Sequence, residues 1–115
     1  MSIDANEVGK ARSKIVEIAK AILAGDISYI EGVRVILTRW PEARADHLEE
    51  WMVFLGIDSE TDHFPMGRVR EMWDVQALQA MQPKLDKAEK WARTYGEGAC
   101  IKVIELFEKN PVGDL

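Results

Sequence analysis

The segment best suited to chemistry is GIDSETDHFPMG, where acidic side chains and a histidine follow one another closely. Asp58, Glu60 and Asp62 have the i, i+2, i+4 spacing with which an EF-hand calcium loop begins. The later positions do not match, because His63 stands where glycine is needed and Val69 where the closing glutamate is needed. With only two histidines in the chain, a closed transition-metal site is also short of ligands. We therefore predict no metal and no cofactor, and expect Asp58 and Asp62 to order a loop by accepting hydrogen bonds from backbone N–H groups.

A second acidic pattern could support an enzyme. Asp46 and Glu49 stand one helical turn apart with Glu50 beside them, and Glu71 and Asp74 repeat the spacing downstream. Two such pairs facing each other can hold Mg²⁺ against a pyrophosphate. The pattern resembles the all-α nucleotide pyrophosphohydrolases related to MazG, and the resemblance implies Mg-dependent nucleotide hydrolysis as an alternative function. No lysine or asparagine box accompanies the second pair, which is a departure from those enzymes.

Nucleophilic catalysis finds little support in the sequence. Cys100 belongs to a helical apolar stripe, where a free cysteine is usually a small buried hydrophobe. Neither His47 nor His63 has an identifiable serine or cysteine partner. We therefore predict no catalytic residue. A single cysteine allows no internal disulfide and fits a reducing compartment, so the expected location is the cytoplasm.

Acidic charge is concentrated in one part of the chain. The net charge is −5, and residues 41–62 alone carry seven acidic groups against Arg44. Such a local field can steer a basic protein partner, and it disfavours nucleic acid. No apolar run reaches the roughly 18 residues needed to span a bilayer, so no membrane partner is expected. The predicted partner-binding residues are Glu42, Asp46, Glu49, Glu50, Val53, Asp58, Glu60 and Asp62.

Helical signals follow one another along all 115 residues. Asp4 with Glu7, and Ser28 with Glu31, have the spacing of capping pairs that open helices, and Gly25 separates the first helix from the second. These two helices are predicted to form an antiparallel hairpin. No stretch alternates with period two for long enough to indicate a strand. The prediction is one all-α domain, residues 1–115, built as a bundle of about four to six helices.

The third predicted helix covers residues 41–55, with Pro41 at its start. Its apolar face is predicted to carry Leu48, Trp51, Met52 and Leu55, and its opposite face Glu42, Asp46, Glu49 and Glu50. At about 100° per residue, Val53 falls among these acids. An apolar residue within an acidic stripe is typical of a contact surface.

The remainder of the chain predicts a short helix in GRVREMW and a long final helix capped by Asp74. Pro83 is expected to kink or split the long helix, and YGEG is expected to weaken it. The four tryptophans are expected to be core anchors. Helical spacing of apolar residues gives the strongest core candidates: Ile15, Ile22, Ile36, Trp51, Leu78, Ile104 and Phe107.

Three stretches together, AKAILAGDISYIEGVRVI, the signature GIDSETDH-P-G and the late long helix, resemble a family of short bacterial proteins catalogued as a domain of unknown function. The resemblance covers most of the chain and implies no catalytic residues. It makes Ile57 and Phe64 the expected anchors of the signature segment.

The prediction from these patterns is a non-enzymatic protein-binding module. Its most specific form is an immunity or antitoxin protein that inhibits a basic toxin or effector through an acidic helix face. The alternatives are the nucleotide pyrophosphohydrolase described above and a regulatory adaptor.

Overall fold

Five α-helices make up the part of the chain that the structure, a computed structural model, describes, namely residues 5–115. They are α1 (Ala5–Ala24), α2 (Tyr29–Ala43), α3 (Glu49–Thr61), α4 (Arg68–Glu71) and α5 (Val75–Lys109). No residue in this described range lies in a β-strand, so the predicted all-α bundle is confirmed. The predicted capping pair of α1 includes Asp4, which lies outside the described residues.

The turn between α1 and α2 has the local geometry that the sequence indicates. Gly25 has φ +83°, and the Asp26 N–H donates to the Ala21 carbonyl at 2.9 Å, which closes α1 with a Schellman motif. Ser28 then caps α2, because its Oγ accepts from the Glu31 N–H at 3.0 Å. The two helices share the most extensive helix–helix interface in the described chain.

A carboxylate from α5 completes the cap of α2. The two oxygens of Glu89 accept hydrogen bonds from the backbone N–H groups of Tyr29 at 2.8 Å and Ile30 at 3.2 Å. The first N–H groups of a helix lack partners within it and form the positive end of its dipole, so a carboxylate is favourable there. Glu89 thereby ties α5 to the α1–α2 hairpin, beside a surface cleft of about 480 Å³.

Trp40 lies at the centre of the core and is fully buried. Its ring centroid is 5.6 Å from that of Trp51, 5.7 Å from that of Phe54 and 5.8 Å from that of Phe107. Because these rings come from α2, α3 and α5, one indole joins three helices by aromatic packing.

Most of the predicted core residues are where the sequence places them. Four of the seven are buried: Ile15, Ile22, Ile36 and Phe107. Trp51 and Ile104 are half-buried and pack against the rim of the core. Leu78 is half-buried and lies outside the core cluster, so that prediction is wrong. The physical reason is its place on α5, since every buried residue of this helix lies at or after Ala92.

The predicted boundary between the second and third helices is wrong. α2 continues through Pro41 to Ala43 and ends where Arg44 adopts the left-handed conformation, with φ 56°. A proline near the end of a helix removes only one backbone hydrogen bond. Continuing the helix buries both Trp40 and Ala43 completely, which outweighs that loss. α3 therefore begins only at Glu49.

The long final helix, α5, runs unbroken, so it is neither split at Pro83 nor interrupted at YGEG. Asp74 caps it as predicted, accepting from the Ala77 N–H at 3.3 Å. Gly96 stands where α5 crosses α3, because a Cβ built on it would lie 2.7 Å from Ile57 Cδ1. This glycine permits close helix packing, where the sequence alone indicates only a weak helix.

Arg12 joins α1 to the end of α2 and to the C-terminal tail. Its Nε donates to the Ala43 carbonyl at 2.9 Å, and one terminal nitrogen donates to the carbonyls of Asn110 at 2.7 Å and Gly113 at 2.6 Å. The guanidinium also lies over the Phe107 ring, 5.5 Å from its centroid. A charged side chain that is only 2 % exposed is tolerated because these acceptors replace water.

Candidate functional site

The acids predicted to form one helix face lie on different elements. Glu42 belongs to α2 and Asp46 to the turn after it, whereas Glu49 and Glu50 form the first turn of α3. They cannot share a helix face, which corrects the predicted single stripe. The correction follows from the continuation of α2 past Pro41. Of the remaining predicted residues, Val53, Asp58 and Glu60 lie on α3, and Asp62 caps its C-terminal end.

α3 is also rotated relative to the prediction. Its buried residues are Phe54, Ile57 and Thr61. Val53 is half-buried and packs against the core, so it does not stand among exposed acids as predicted. Met52, predicted to face the core, is 65 % exposed. The apolar residue on the outward face of α3 is therefore Met52.

The outward face of α3 combines charge with an apolar side chain. Glu49, Met52, Gly56 and Glu60 recur about every turn along it, and both glutamates are exposed. Glu50, by contrast, is half-buried at the side of the helix. The exposed acids of α3 thus flank Met52 and Gly56.

Two exposed aromatic side chains of α5 lie against this face. Tyr95 is 47 % exposed and Trp91 is 39 % exposed, yet their rings stack with centroids 5.3 Å apart and an interplanar angle of 12°. The Tyr95 ring covers Gly56, because a Cβ built on that glycine would lie 3.4 Å from Tyr95 Cε2. Tyr95 is therefore seated on α3, Trp91 stacks on Tyr95, and both rings are open to solvent.

The contacts between α3 and α5 fix the order of residues along the seam. Gly56 contacts Tyr95 near the middle of α3, while Phe54 and Phe107 both pack on Trp40. Trp40 packs on Trp51 and Arg34 lies by Asp58, so α2 and α3 are antiparallel. Tyr29 contacts Glu89 and Trp40 packs on Phe107, so α2 and α5 run in the same direction. α3 and α5 are therefore antiparallel. Trp91, one turn before Tyr95, then lies toward the Glu60 end of α3. We call this surface the acidic–aromatic patch; its members are Glu49, Met52, Glu60, Trp91 and Tyr95.

Half of the signature segment GIDSETDHFPMG is helical, because α3 extends to Thr61. The Asp58 carboxylate lies 3.7 Å from the Nε of Arg34, which also donates through a terminal nitrogen to the Thr61 carbonyl. A guanidinium at this position satisfies the end of α3 and complements the helix dipole. In the described chain neither the Asp58 nor the Asp62 side chain accepts a backbone hydrogen bond, so the prediction that they order a loop in this way is wrong for both.

The expected anchors of this segment are confirmed, since Ile57 is fully buried and Phe64 is 4 % exposed. Between Arg34, His63 and Trp73 the segment leaves a shallow cleft of about 210 Å³. Its lining offers few polar groups, and the Arg34 guanidinium is already engaged by α3. The segment therefore acts first as a turn that closes α3 against α2.

Within residues 5–115, no three His, Cys, Asp or Glu side chains lie close enough together to hold a metal ion. The Mg²⁺ pattern of the sequence is dispersed, with Glu71 on α4 and Asp74 occupied as the cap of α5. Burial, assisted by the Glu97 charge, raises the pKa of the fully buried Cys100 thiol to about 12. A thiol in this state is not a nucleophile near neutral pH.

No family model, no curated protein and no solved structure matches this chain. The resemblance of GIDSETDHFP to a bacterial family therefore stays a prediction. No helix among the described residues combines the length and apolar character needed to cross a bilayer.

Sequence reasoning missed three members of the patch, Met52, Trp91 and Tyr95. The expectation that tryptophans are core anchors holds fully for Trp40, whereas Trp73 and Trp91 are each 39 % exposed. An aromatic pair at i, i+4 on a helix was the available signal for a stacked surface pair.

Proposed function

We propose that this protein is a non-enzymatic binding module that inhibits a basic protein partner through the acidic–aromatic patch. In its most specific form it is an immunity or antitoxin protein that covers the electropositive site of a toxin or effector. The observation that carries the proposal is the exposure of Met52, Trp91 and Tyr95 beside two exposed glutamates. The proposal retains the cytoplasmic location that a lone reduced cysteine favours.

The composition of the patch supports a protein partner. Tryptophan, tyrosine and methionine are enriched at the centres of protein interfaces, where burial of a large rigid side chain gives most of the binding energy. A charged rim contributes mainly to the rate of association and to the choice of partner. Glu49 and Glu60 stand at opposite ends of the aromatic pair and provide such a rim.

The charge around the patch favours a basic partner. Asp46 lies in the turn just before α3, and Asp62 lies just after it, both exposed. The ends of α3 are therefore acidic, and a basic partner would be attracted before contact. We expect association to slow as salt rises, because exposed charges are screened over about 8–10 Å at physiological ionic strength.

The test is capture of a partner from the native host by wild type and by Glu49→Lys/Glu60→Lys. The control is Glu17→Lys/Glu105→Lys, which changes the net charge equally at exposed acids that pair with Lys14 and Lys109 elsewhere on the fold. We expect the wild type and the control to capture the same basic protein, and the patch variant to capture at least tenfold less.

Inhibition is checked with the captured protein itself. Its expression alone should arrest growth of a bacterial culture, and co-expression of the wild type should relieve the arrest. Equal capture by the patch variant and the control, or a captured partner that is acidic, would contradict the proposal.

A further inference from the structure

We propose that the Trp91–Tyr95 pair is the seat for an arginine or lysine side chain of the partner, with the cation lying on an exposed ring face. This inference rests on the proposed function and specifies the chemistry of recognition at the same patch.

The Trp91–Tyr95 pair is preformed. The two rings are nearly parallel, with an interplanar angle of 12° and centroids 5.3 Å apart. Tyr95 is held from below by Gly56, whose lack of a side chain lets the ring lie on the backbone of α3. A platform fixed before binding loses little side-chain entropy when a partner arrives.

Both rings also remain accessible. Their exposed fractions, 39 % for Trp91 and 47 % for Tyr95, are large for stacked aromatic residues that could have entered the core. Cations are attracted to the negative face of an aromatic ring, most strongly to tryptophan. Arginine adds planar stacking to this attraction and is therefore the preferred occupant.

Acidic side chains of α3 lie toward the two ends of the aromatic pair. The antiparallel seam puts Glu60 toward Trp91, and Glu49 lies beyond Met52 at the other end. A carboxylate beside an aromatic face adds coulombic attraction for the same cation. On α5 itself, the exposed Lys87 stands one turn before Trp91, and Lys102 stands about two turns after Tyr95. The attraction for a cation therefore comes from the α3 side of the rings, where Glu60 and Glu49 lie.

The experiment titrates the intact protein with an arginine hexapeptide and follows the indole N–H resonance of Trp91 together with the dissociation constant. Trp91→Leu/Tyr95→Leu keeps apolar bulk but removes the ring faces, and Trp91→Phe/Tyr95→Phe keeps ring faces. We expect the phenylalanine variant to bind within about threefold of wild type and the leucine variant about 5- to 30-fold more weakly. Thermal melts check that each variant is folded. If the leucine variant does not fold, the phenylalanine variant supplies the answer.

The outcomes separate this inference from the proposed function. If the leucine variant binds as tightly as wild type while Glu49→Lys/Glu60→Lys does not bind, the aromatic seat is wrong and the acidic patch stands. If the charge-reversed variant also binds as wild type does, both proposals fail. If the wild type binds no arginine peptide, the aromatic seat is wrong, and the capture experiment decides the proposed function. Weakened peptide binding in both the leucine and the charge-reversed variants, together with a shift of the Trp91 resonance in the wild type that the charge-reversed variant abolishes, supports both.

Discussion

The two halves of α5 are exposed very differently although they belong to one unbroken helix. All of its buried residues lie in the second half: Ala92, Gly96, Ala99, Cys100, Val103 and Phe107. The first half carries apolar side chains at the same helical spacing, among them Leu78, Met81 and Leu85, and none of them is buried.

The two halves also differ in glycine, which occurs in α5 only at Gly96 and Gly98. Four of the six buried positions in the second half are alanine, glycine or cysteine, which let the backbones of α3 and α5 approach closely. The first half has no glycine, and its apolar stripe is only half-buried, with Leu85 beside Ile30 and Met66 at a surface cleft. Helical periodicity identifies a face, whereas the glycine within that face, Gly96, marks the helix crossing.

The largest expected effect comes from truncating a core side chain in the second half. Phe107→Ala should lower the free energy of unfolding by about 3–5 kcal/mol, since it leaves a cavity beside Trp40. Leu78→Ala in the first half should cost about 1 kcal/mol, because its side chain is half-buried and outside the core. Urea unfolding followed by circular dichroism gives both values. Equal losses would show that the two halves are packed alike.

Two glycines only two residues apart offer a finer comparison. Gly96→Ala should destabilise the protein by about 1–3 kcal/mol, because the new methyl group would displace the buried Ile57 side chain. Gly98→Ala should stabilise it by about 0.5–1 kcal/mol, since nothing lies within 4 Å and alanine favours the helix. The melting temperatures of the two variants show whether each substitution stabilises or destabilises the protein. A gain at both positions would mean that the helices cross less closely at Gly96.

The smallest effect at neutral pH concerns Cys100. Its raised pKa, about 12 against a reference of 9.0, means that the unfolded chain loses the thiol proton first as pH rises. The contribution of this thiol to the free energy of unfolding is fully present below pH 9.0 and is lost between pH 9.0 and about 12. Cys100→Ala should therefore lose less stability than wild type between these pH values, as measured by urea unfolding.

Thiol labelling at pH 8 extends this test to both halves of the helix. Cys100 is fully buried, so iodoacetamide should label it only at the rate of unfolding. Gln79→Cys in a Cys100→Ala background places a thiol at an exposed position of the first half and should label at the rate of a free peptide. Rapid labelling of native Cys100 would contradict the burial that distinguishes the halves.

Local signals in the sequence were sufficient to predict the helix ends wherever the stabilising partner is a near neighbour in the chain. Ser28 caps a N–H group of the same turn, Gly25 ends α1 by adopting a positive φ, and Asp74 caps α5. Each is decided by hydrogen bonds within a few residues, which a sequence pattern contains. The all-α class and most of the core follow from such patterns.

The orientation of α3 could not be predicted in this way. WMVFLGI places apolar side chains on nearly every side of the helix, so its periodicity does not select a buried face. The choice is made by Trp40, which draws Phe54 inward from another helix and leaves Met52 outside. The acidic charge of the site was therefore predictable, and its apolar and aromatic centre was not.

Arg12 has a consequence for how the protein is made. Its acceptors Asn110 and Gly113 are synthesised about 5–20 s after α1 at ordinary rates of synthesis. Until then the guanidinium lacks two of its carbonyl partners, and burying it would cost desolvation without compensation. We expect the nascent α1 to keep this face in water while translation continues. Asn110 and Gly113 thus set the moment at which α1 can pack, and a chain stalled before Asn110 would stay a substrate for chaperones.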